Sequence, residues 1–138
     1  MIILDTNVIS ELMLLTPEKN VVLWLDRQAW PSLWTTSVTV FEIRVGIEIM
    51  AHGKRRIDLS RAFEEILVRM NQQIVSFDRE AAEQASSLTA SRKERGRPRE
   101  LRDTMIAGIA LSQRAHLATR NVRDFDDISA TVVNPWTA

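Results

Sequence analysis

Cysteine is absent from the 138 residues. That excludes disulfides, thiolate zinc sites, iron–sulfur clusters and any thiol nucleophile. Histidine occurs only at His52 and His116, too few for a three-histidine metal centre, and there is no HExxH pattern. Long apolar stretches are also missing. The longest, Met105 to Leu111, falls well short of the ~20 residues that a membrane span needs. The start, Met1-Ile2-Ile3-Leu4-Asp5, lacks a basic n-region, so no signal peptide and no membrane association are expected, and the expected location is cytoplasmic. Glycine is scarce. Gly46, Gly53, Gly96 and Gly108 form neither GxGxxG nor GxxxxGK[ST], which counts against a nucleotide-binding domain. Nor does either charge predominate: 18 basic residues balance 18 acidic ones. A uniformly basic coat for nucleic acid is excluded, whereas local segregation of the two signs is not.

Hydrophobic residues make up 45% of the chain and charged residues 26%, a globular balance. Its length predicts one domain over residues 1–138, able to bury a core without a metal or disulfide staple. Short apolar runs predict strands at Ile2–Leu4, Leu33–Thr36, Ile74–Phe77, Leu117–Thr119 and Val132–Val133. Between them, apolar spacings of three and four predict helices. The first is capped by Thr6 or Asn7 and runs through Val8, Ile9, Leu12 and Leu15; the second starts at Thr16-Pro17-Glu18 and turns Val21, Val22, Leu25 and Ala29 inward. A third opens at Ser37 or Thr39, with Phe41, Val45 and Ile49 on its apolar face and Val38 a further candidate for it. After a polar break at 52–56, a fourth carries Leu59, Phe63, Ile66, Leu67 and Met70. Asp78 caps a fifth, a basic connector spans Arg92 to Arg99, and Glu100 to Arg114 forms the sixth. Strands lacking period-two alternation, joined by helices, predict an α/β fold: a three-layer α/β/α sandwich with a central parallel sheet of four to five strands.

Ligands of such sheets bind beyond the carboxyl ends of the strands. Asp5 directly follows the first strand, Glu42 lies about one turn into the helix after the second, and Asn121 and Asp124 follow the fourth. Asp103, early in the sixth helix, joins them if that helix points its N-terminus to the same edge. Clustered carboxylates repel one another unless a cation intervenes, and an all-oxygen set suits Mg²⁺ or Mn²⁺. Such a site handles phosphate esters. Each acid also has a structural explanation: Thr39-Val40-Phe41-Glu42 matches a capping box, Asp103 suits a helix start, Asp124 suits a turn, Asn121 suits a left-handed residue, and Asp5 suits a cap.

Taken together, these segments resemble a known family. Met1 to Glu11 (MIILDTNVISE), Ser37 to Gly46 (SVTVFEIRVG), Arg102 to Ala110 (RDTMIAGIA) and Leu117 to Phe125 (LATRNVRDF) are similar, in this order, to the four motifs of PIN-domain proteins of the VapC family, in its FitB-like branch, from type II toxin–antitoxin systems. The resemblance extends to the ending Val133-Asn134-Pro135-Trp136 and covers the whole chain. It implies a PIN-like fold and a Mg²⁺- or Mn²⁺-dependent endoribonuclease toxin, held inactive by a cognate antitoxin that also binds DNA. By the same resemblance Asp5 and Asp103 are the core metal ligands, Glu42 is the third acid, and Thr6, Asn7 and Thr119 orient the carboxylates or water. This sequence departs from the fuller pattern at one place: Asn121 stands where an aspartate is usual, with Asp124 three residues on. That removes a negative charge and puts a second tightly bound metal in doubt.

Positive charge gathers at Lys54, Arg55 and Arg56, and again from Arg92 through Arg97, Arg99 and Arg102. Such a rim offsets an acidic centre and positions RNA phosphates, making Arg44, Lys54, Arg55, Arg56, Arg97 and Arg99 the candidate RNA contacts; the alternative is solvated loop charge. Trp24, Trp30, Trp34 and Trp136 suit the core or an interface better than base stacking. The apolar excess of the first two helices suggests a groove for an antitoxin segment or a homodimer contact, with DNA reached only through the antitoxin. A second reading is a catalytically degenerate PIN-like subunit that acts through a partner, favoured by Asn121.

Overall fold

A computed structural model describes all 138 residues. Five short strands, β1 (Ile2–Leu4), β2 (Leu33–Thr36), β3 (Ile74–Val75), β4 (His116–Ala118) and β5 (Val132–Val133), form one sheet in the order β3-β2-β1-β4-β5. Every neighbouring pair is parallel. Each chain reversal is therefore a crossover, and most crossovers carry helix: α1 (Thr6–Leu12), α2 (Lys19–Asp26), α3 (Ser37–Glu48), α4 (Lys54–Arg69), α5 (Arg79–Glu94) and α6 (Leu101–Gln113).

The sheet is buried on both faces, which is why its strands carry no polar alternation. Leu4, Leu33 and Ala118 join a core with Val8, Ile9, Trp24, Leu25, Phe63 and Leu67 from α1, α2 and α4. On the opposite side Ile3 and Leu117 pack with Ala81, Leu88, Ile106, Ile109 and Phe125. Successive strand residues thus feed opposite layers, producing the predicted sandwich. Within the second layer, α5 and α6 approach at Gly108, where an added Cβ would lie 2.5 Å from the Ala81 carbonyl oxygen and 2.8 Å from the Ala85 Cβ.

Several expected details change. α1 stops at Leu12, leaving Leu15 fully exposed, and α2 begins at Lys19, after the proline rather than with it. Of the residues expected on the apolar face of α3, only Val38 is buried. Val38, Thr39, Ile43 and Ile47 point inward, whereas Phe41, at 60% exposure, and Ile49, at 79%, face solvent. Periodicity found two apolar stripes on this helix and could not tell which one the sheet covers. The polar segment at 52–56 is not wholly a break, because α4 begins at Lys54. The basic connector also begins later than expected: α5 runs to Glu94, so Arg92 is helical and buried.

Caps fix where the helices begin. Asp5 Oδ1 accepts from the Thr6 amide at 2.8 Å, Thr36 Oγ1 from the Thr39 amide at 3.0 Å, and Asp78 Oδ1 from the Ala81 amide at 3.0 Å. Glu100 caps α6 through Oε2, which accepts from the Asp103 amide at 3.1 Å. No helix is long and apolar enough to cross a membrane.

Candidate active site

The two central strands end side by side, β1 at Leu4 and β4 at Ala118. Their next residues, Asp5 and Thr119, therefore share the carboxyl edge of the sheet. Asp5 is buried, at 2% exposure, and both its oxygens are engaged. Oδ1 takes the Thr6 amide, and Oδ2 accepts from Thr119 Oγ1 at 2.7 Å and from Asn7 Nδ2 at 3.3 Å. Asn7 also donates to Thr119 Oγ1 at 3.3 Å and accepts the Arg120 amide at 3.1 Å. The Asp5 carboxylate is thus held in one orientation by the start of α1 and the residue after β4. Burial pushes its pKa up, against the hydrogen bonds from Thr119 and Thr6, and the charges of Glu42 and Asp124 push the same way.

Glu42 is not a capping residue. Thr36 caps α3, so Glu42 lies in the second turn and its carboxylate turns to the cleft. Its Oε1 accepts from Thr6 Oγ1 at 2.9 Å, and Thr6 Oγ1 also lies 3.0 Å from Thr39 Oγ1. Its Oε2 is 3.9 Å from Arg102 Nη1. Asp103 is in the first turn of α6, where Glu100 does the capping and leaves the Asp103 side chain free to face the cleft. Burial raises its pKa first, and then the charges of Asp5, Glu100, Asp124 and Glu42, to about 7.

Asp5, Glu42, Asp103 and Asn121 line one open cleft of about 450 Å³ together with Thr6 and Asn7. Asp124 stands behind it. Its carboxylate does not line the cleft, and its Oδ1 lies 3.8 Å from Arg99 Nη1, but its charge acts on both Asp5 and Asp103. The donors are all oxygens, as a hard divalent cation prefers, and their mutual repulsion is the kind a cation relieves. As they stand, no three carboxylates are close enough to grip one ion. The fit to a cation therefore lies in donor chemistry and shared field, not in a closed coordination shell.

The expected RNA contacts sit elsewhere. Arg44 pairs with Glu64, donates to Ser60 Oγ at 2.9 Å and covers the Phe63 ring, so it ties α3 to α4. Lys54 pairs with Asp58 at 2.9 Å, and Arg56 pairs with Glu48 at 3.0 Å and contacts His52. Arg97 lies 3.5 Å from Asp126, and Arg99 bridges Asp124 and Asp126. None of these, nor Arg55, lines the cleft. The cation that does is Arg120, stacked 5.1 Å from the Trp136 ring centroid, and Arg102 stands beside Glu42. The cleft also contains Ser10 and Glu11, which sequence reasoning missed. Their spacing was the available signal: Thr6 with Ser10, and Asn7 with Glu11, are four apart on one helical face.

Comparison with known proteins agrees with this fold. The family model described as PIN domain matches residues 2–130. The chain is 35% identical to the VapC ribonuclease Y4jK of Sinorhizobium fredii, over 99% of this chain and 98% of that one. It is 33% identical to Toxin FitB of Neisseria gonorrhoeae, over 99% of each. Among solved structures, it superposes with a TM-score of 0.89 and 33% identity on a chain of FitAB bound to an IR36 DNA fragment, covering 99% of this chain and 96% of that one.

Proposed function

The chain belongs to the PIN-domain family, and from that premise we propose that it is the toxin of a type II toxin–antitoxin pair, an endoribonuclease that hydrolyses RNA phosphodiesters with Mg²⁺, or Mn²⁺, held by its carboxylate cluster. The observation that carries this reading is the single cleft into which β1, α3 and α6 bring Asp5, Glu42 and Asp103, where burial first, and then the charges of Asp5, Glu100, Asp124 and Glu42, raise the Asp103 carboxyl to about 7. A protein stores such repulsion at a site more readily than in a scaffold.

Asp5 and Asp103, which line the same cleft, would hold the cation. When bound, a divalent cation lowers the pKa of water toward neutrality and stabilises charge on phosphoryl oxygens. Thr119 and Asn7 keep Asp5 Oδ2 oriented, as partners behind a metal ligand commonly do. Thr6 engages only Oε1 of Glu42, leaving Oε2 to orient the attacking water or take its proton. Asn121 offers a carbonyl oxygen without charge, which favours one cation over two. Arg120 and Arg102 are the cations near enough to steady the RNA backbone beside the acids.

The partner surfaces follow from two apolar regions, a half-buried cavity and an exposed helix face. Leu12, Pro17, Val22, Leu25, Trp30 and Ile66 line a cavity of about 310 Å³ over α1, α2 and α4, a site for an apolar antitoxin segment. Phe41, Val45 and Ile49 on α3, with Leu101 on α6, supply a homodimer contact. DNA would be reached through the antitoxin.

Asn121 and the absence of a closed carboxylate trio support a second reading, a degenerate PIN-like subunit that acts only through its partner. One experiment separates the two. The Asp5→Asn protein, its fold checked by circular dichroism, is expected to lose RNA cleavage and calorimetric Mn²⁺ binding. Cleavage undiminished in that variant or in excess EDTA refutes the nuclease, and wild type that binds no Mn²⁺ and cleaves nothing favours the degenerate subunit.

A further inference from the structure

Arg92 is the largest fully buried side chain of the molecule, at 1% exposure. Arginine is rarely buried this deeply unless it is paired. It lies in the last turn of α5 and does not line the cleft. Its Nε donates to Asp127 Oδ2 at 2.9 Å and its Nη2 to Asp127 Oδ1 at 2.8 Å, a two-pronged pair. Nη2 donates again, to the Asp124 carbonyl at 3.0 Å, and Nη1 donates to Thr104 Oγ1 at 2.9 Å. Thr104 passes its own proton to the Glu100 carbonyl at 3.0 Å, while the Glu100 side chain caps Asp103.

Three elements meet on this one guanidinium: the end of α5, the first turn of α6, and the 3-10 turn Val122–Phe125 after β4. Two of them carry acids of the candidate site, Asp103 next to Thr104 and Asp124 whose own carbonyl is held. Neither acid is hydrogen-bonded to Asp5, which is locked separately by Thr6, Asn7 and Thr119. The turn that carries Asp124 is also tied toward Asp5 through Asn121, whose amide donates to Thr119 Oγ1 at 3.1 Å. Arg92 is the side chain that joins the start of α6 to that turn, and a planar five-donor fork fixes angles as well as distances.

We propose that Arg92 is a positioning residue for the metal site: its fork, shared among Asp127, Thr104 and the Asp124 carbonyl, fixes the start of α6, which carries Asp103, against the turn after β4, which carries Asp124, and so places both acids at the sheet edge that Asp5 occupies. The proposal rests on the nuclease reading above and deepens it. Arg92 touches neither cation nor RNA. A lysine in its place keeps the charge but supplies one donor group on a flexible stem, which cannot hold all three partners at once.

The test measures Mn²⁺ affinity on the full-length protein by calorimetry for wild type, Arg92→Lys, Thr104→Val and Asp5→Asn, with thermal unfolding of the metal-free proteins alongside. Arg92→Lys is expected to weaken Mn²⁺ binding about tenfold or more, the loss typical of groups that orient metal ligands. Saturating Mn²⁺ is expected to restore its RNA-cleavage rate, so the defect appears in the metal dependence and not in kcat. Thr104→Val, which leaves the Arg92–Asp127 pair intact, is expected to weaken Mn²⁺ in the same direction and serves as the test if Arg92→Lys does not fold. A purely structural role predicts a lower Tm with unchanged Mn²⁺ affinity in the folded protein, and that result overturns the proposal. Wild type without Asp5-dependent Mn²⁺ binding would overturn the metal reading itself, and the positioning role with it.

Discussion

Asp103→Asn is expected to make the metal-free protein more stable at neutral and alkaline pH while removing its affinity for a divalent cation. The Asp103 pKa rises from the ordinary aspartate value of 3.8 to about 7, a shift of roughly 3 units, whose ceiling at ~1.36 kcal/mol per unit is about 4 kcal/mol. Asp103 is only half-buried, and solvent screening reduces the figure to about 2 kcal/mol. The sign follows from proton binding. Between the unfolded and folded pKa values the native state holds more protons, so stability falls as pH rises from about 4 to about 7. Above that range the wild type carries the full penalty and the asparagine variant carries none. For a domain of this size about 2 kcal/mol corresponds to a Tm higher by roughly 6–8 °C. Near pH 4 the advantage should shrink to a small fraction, because the folded aspartate is then protonated and the unfolded one about half protonated. Urea denaturation in EDTA at about pH 8 and about pH 4 measures both ends. Repetition with Mn²⁺ should invert the order, since wild type at ~100 times its Kd gains about 2.7 kcal/mol that the variant cannot. A variant no more stable than wild type at alkaline pH would refute the account of mutual repulsion.

Other outcomes follow from separate features. Gly108→Ala should destabilise by about 1–3 kcal/mol in urea denaturation despite alanine's better helix propensity, because its Cβ meets the Ala81 carbonyl and Ala85; a stabilised variant would contradict the close α5–α6 approach. Phe41→Asp should convert a dimer to a monomer in light scattering without changing the circular dichroism spectrum, and an unchanged mass would remove α3 from the interface. Asp127, held by Arg92 at a pKa of about 2, contributes stability above the unfolded value of 3.8 that is lost as pH falls toward 2. Asp127→Asn should therefore cost about 3–5 kcal/mol at neutral pH, as breaking one side of a buried pair does, and much less near pH 2, measured by urea titration at each pH.

The parallel sheet was readable in the sequence because apolar triplets such as Ile2-Ile3-Leu4 recur without polar alternation, and burial on both faces is what permits that. The place of Asp5 at the sheet edge was readable because it directly follows a three-residue strand. The facing of α3 was not. Its Phe41/Val45/Ile49 stripe is as apolar as its Thr39/Ile43/Ile47 stripe, and only the three-dimensional position of α4 and α1 decides which is covered. Arg92 was also hidden, because a run of arginines reads as solvated charge unless the distant partner, Asp127, is known to fold beneath it. The capping-box pattern at Thr39 was a false signal: Thr36, one residue before the helix, had the same chemistry and the better position.

Asp5 serves at once as the stop on β1, the cap of α1 and the innermost acid of the cleft. Alanine at this position would unravel a helix start as well as empty a ligand position, and glutamate would overrun the Thr119 hydroxyl. Asparagine keeps the oxygen that caps α1 but gives up the acceptor that Thr119 and Asn7 use. Asp103 has no such second duty, and its loss relieves strain. A lineage drifting away from catalysis would thus shed the α6 acid long before the one on β1, so the first aspartate of such a chain is poor testimony that the chemistry survives, and the later one is good testimony.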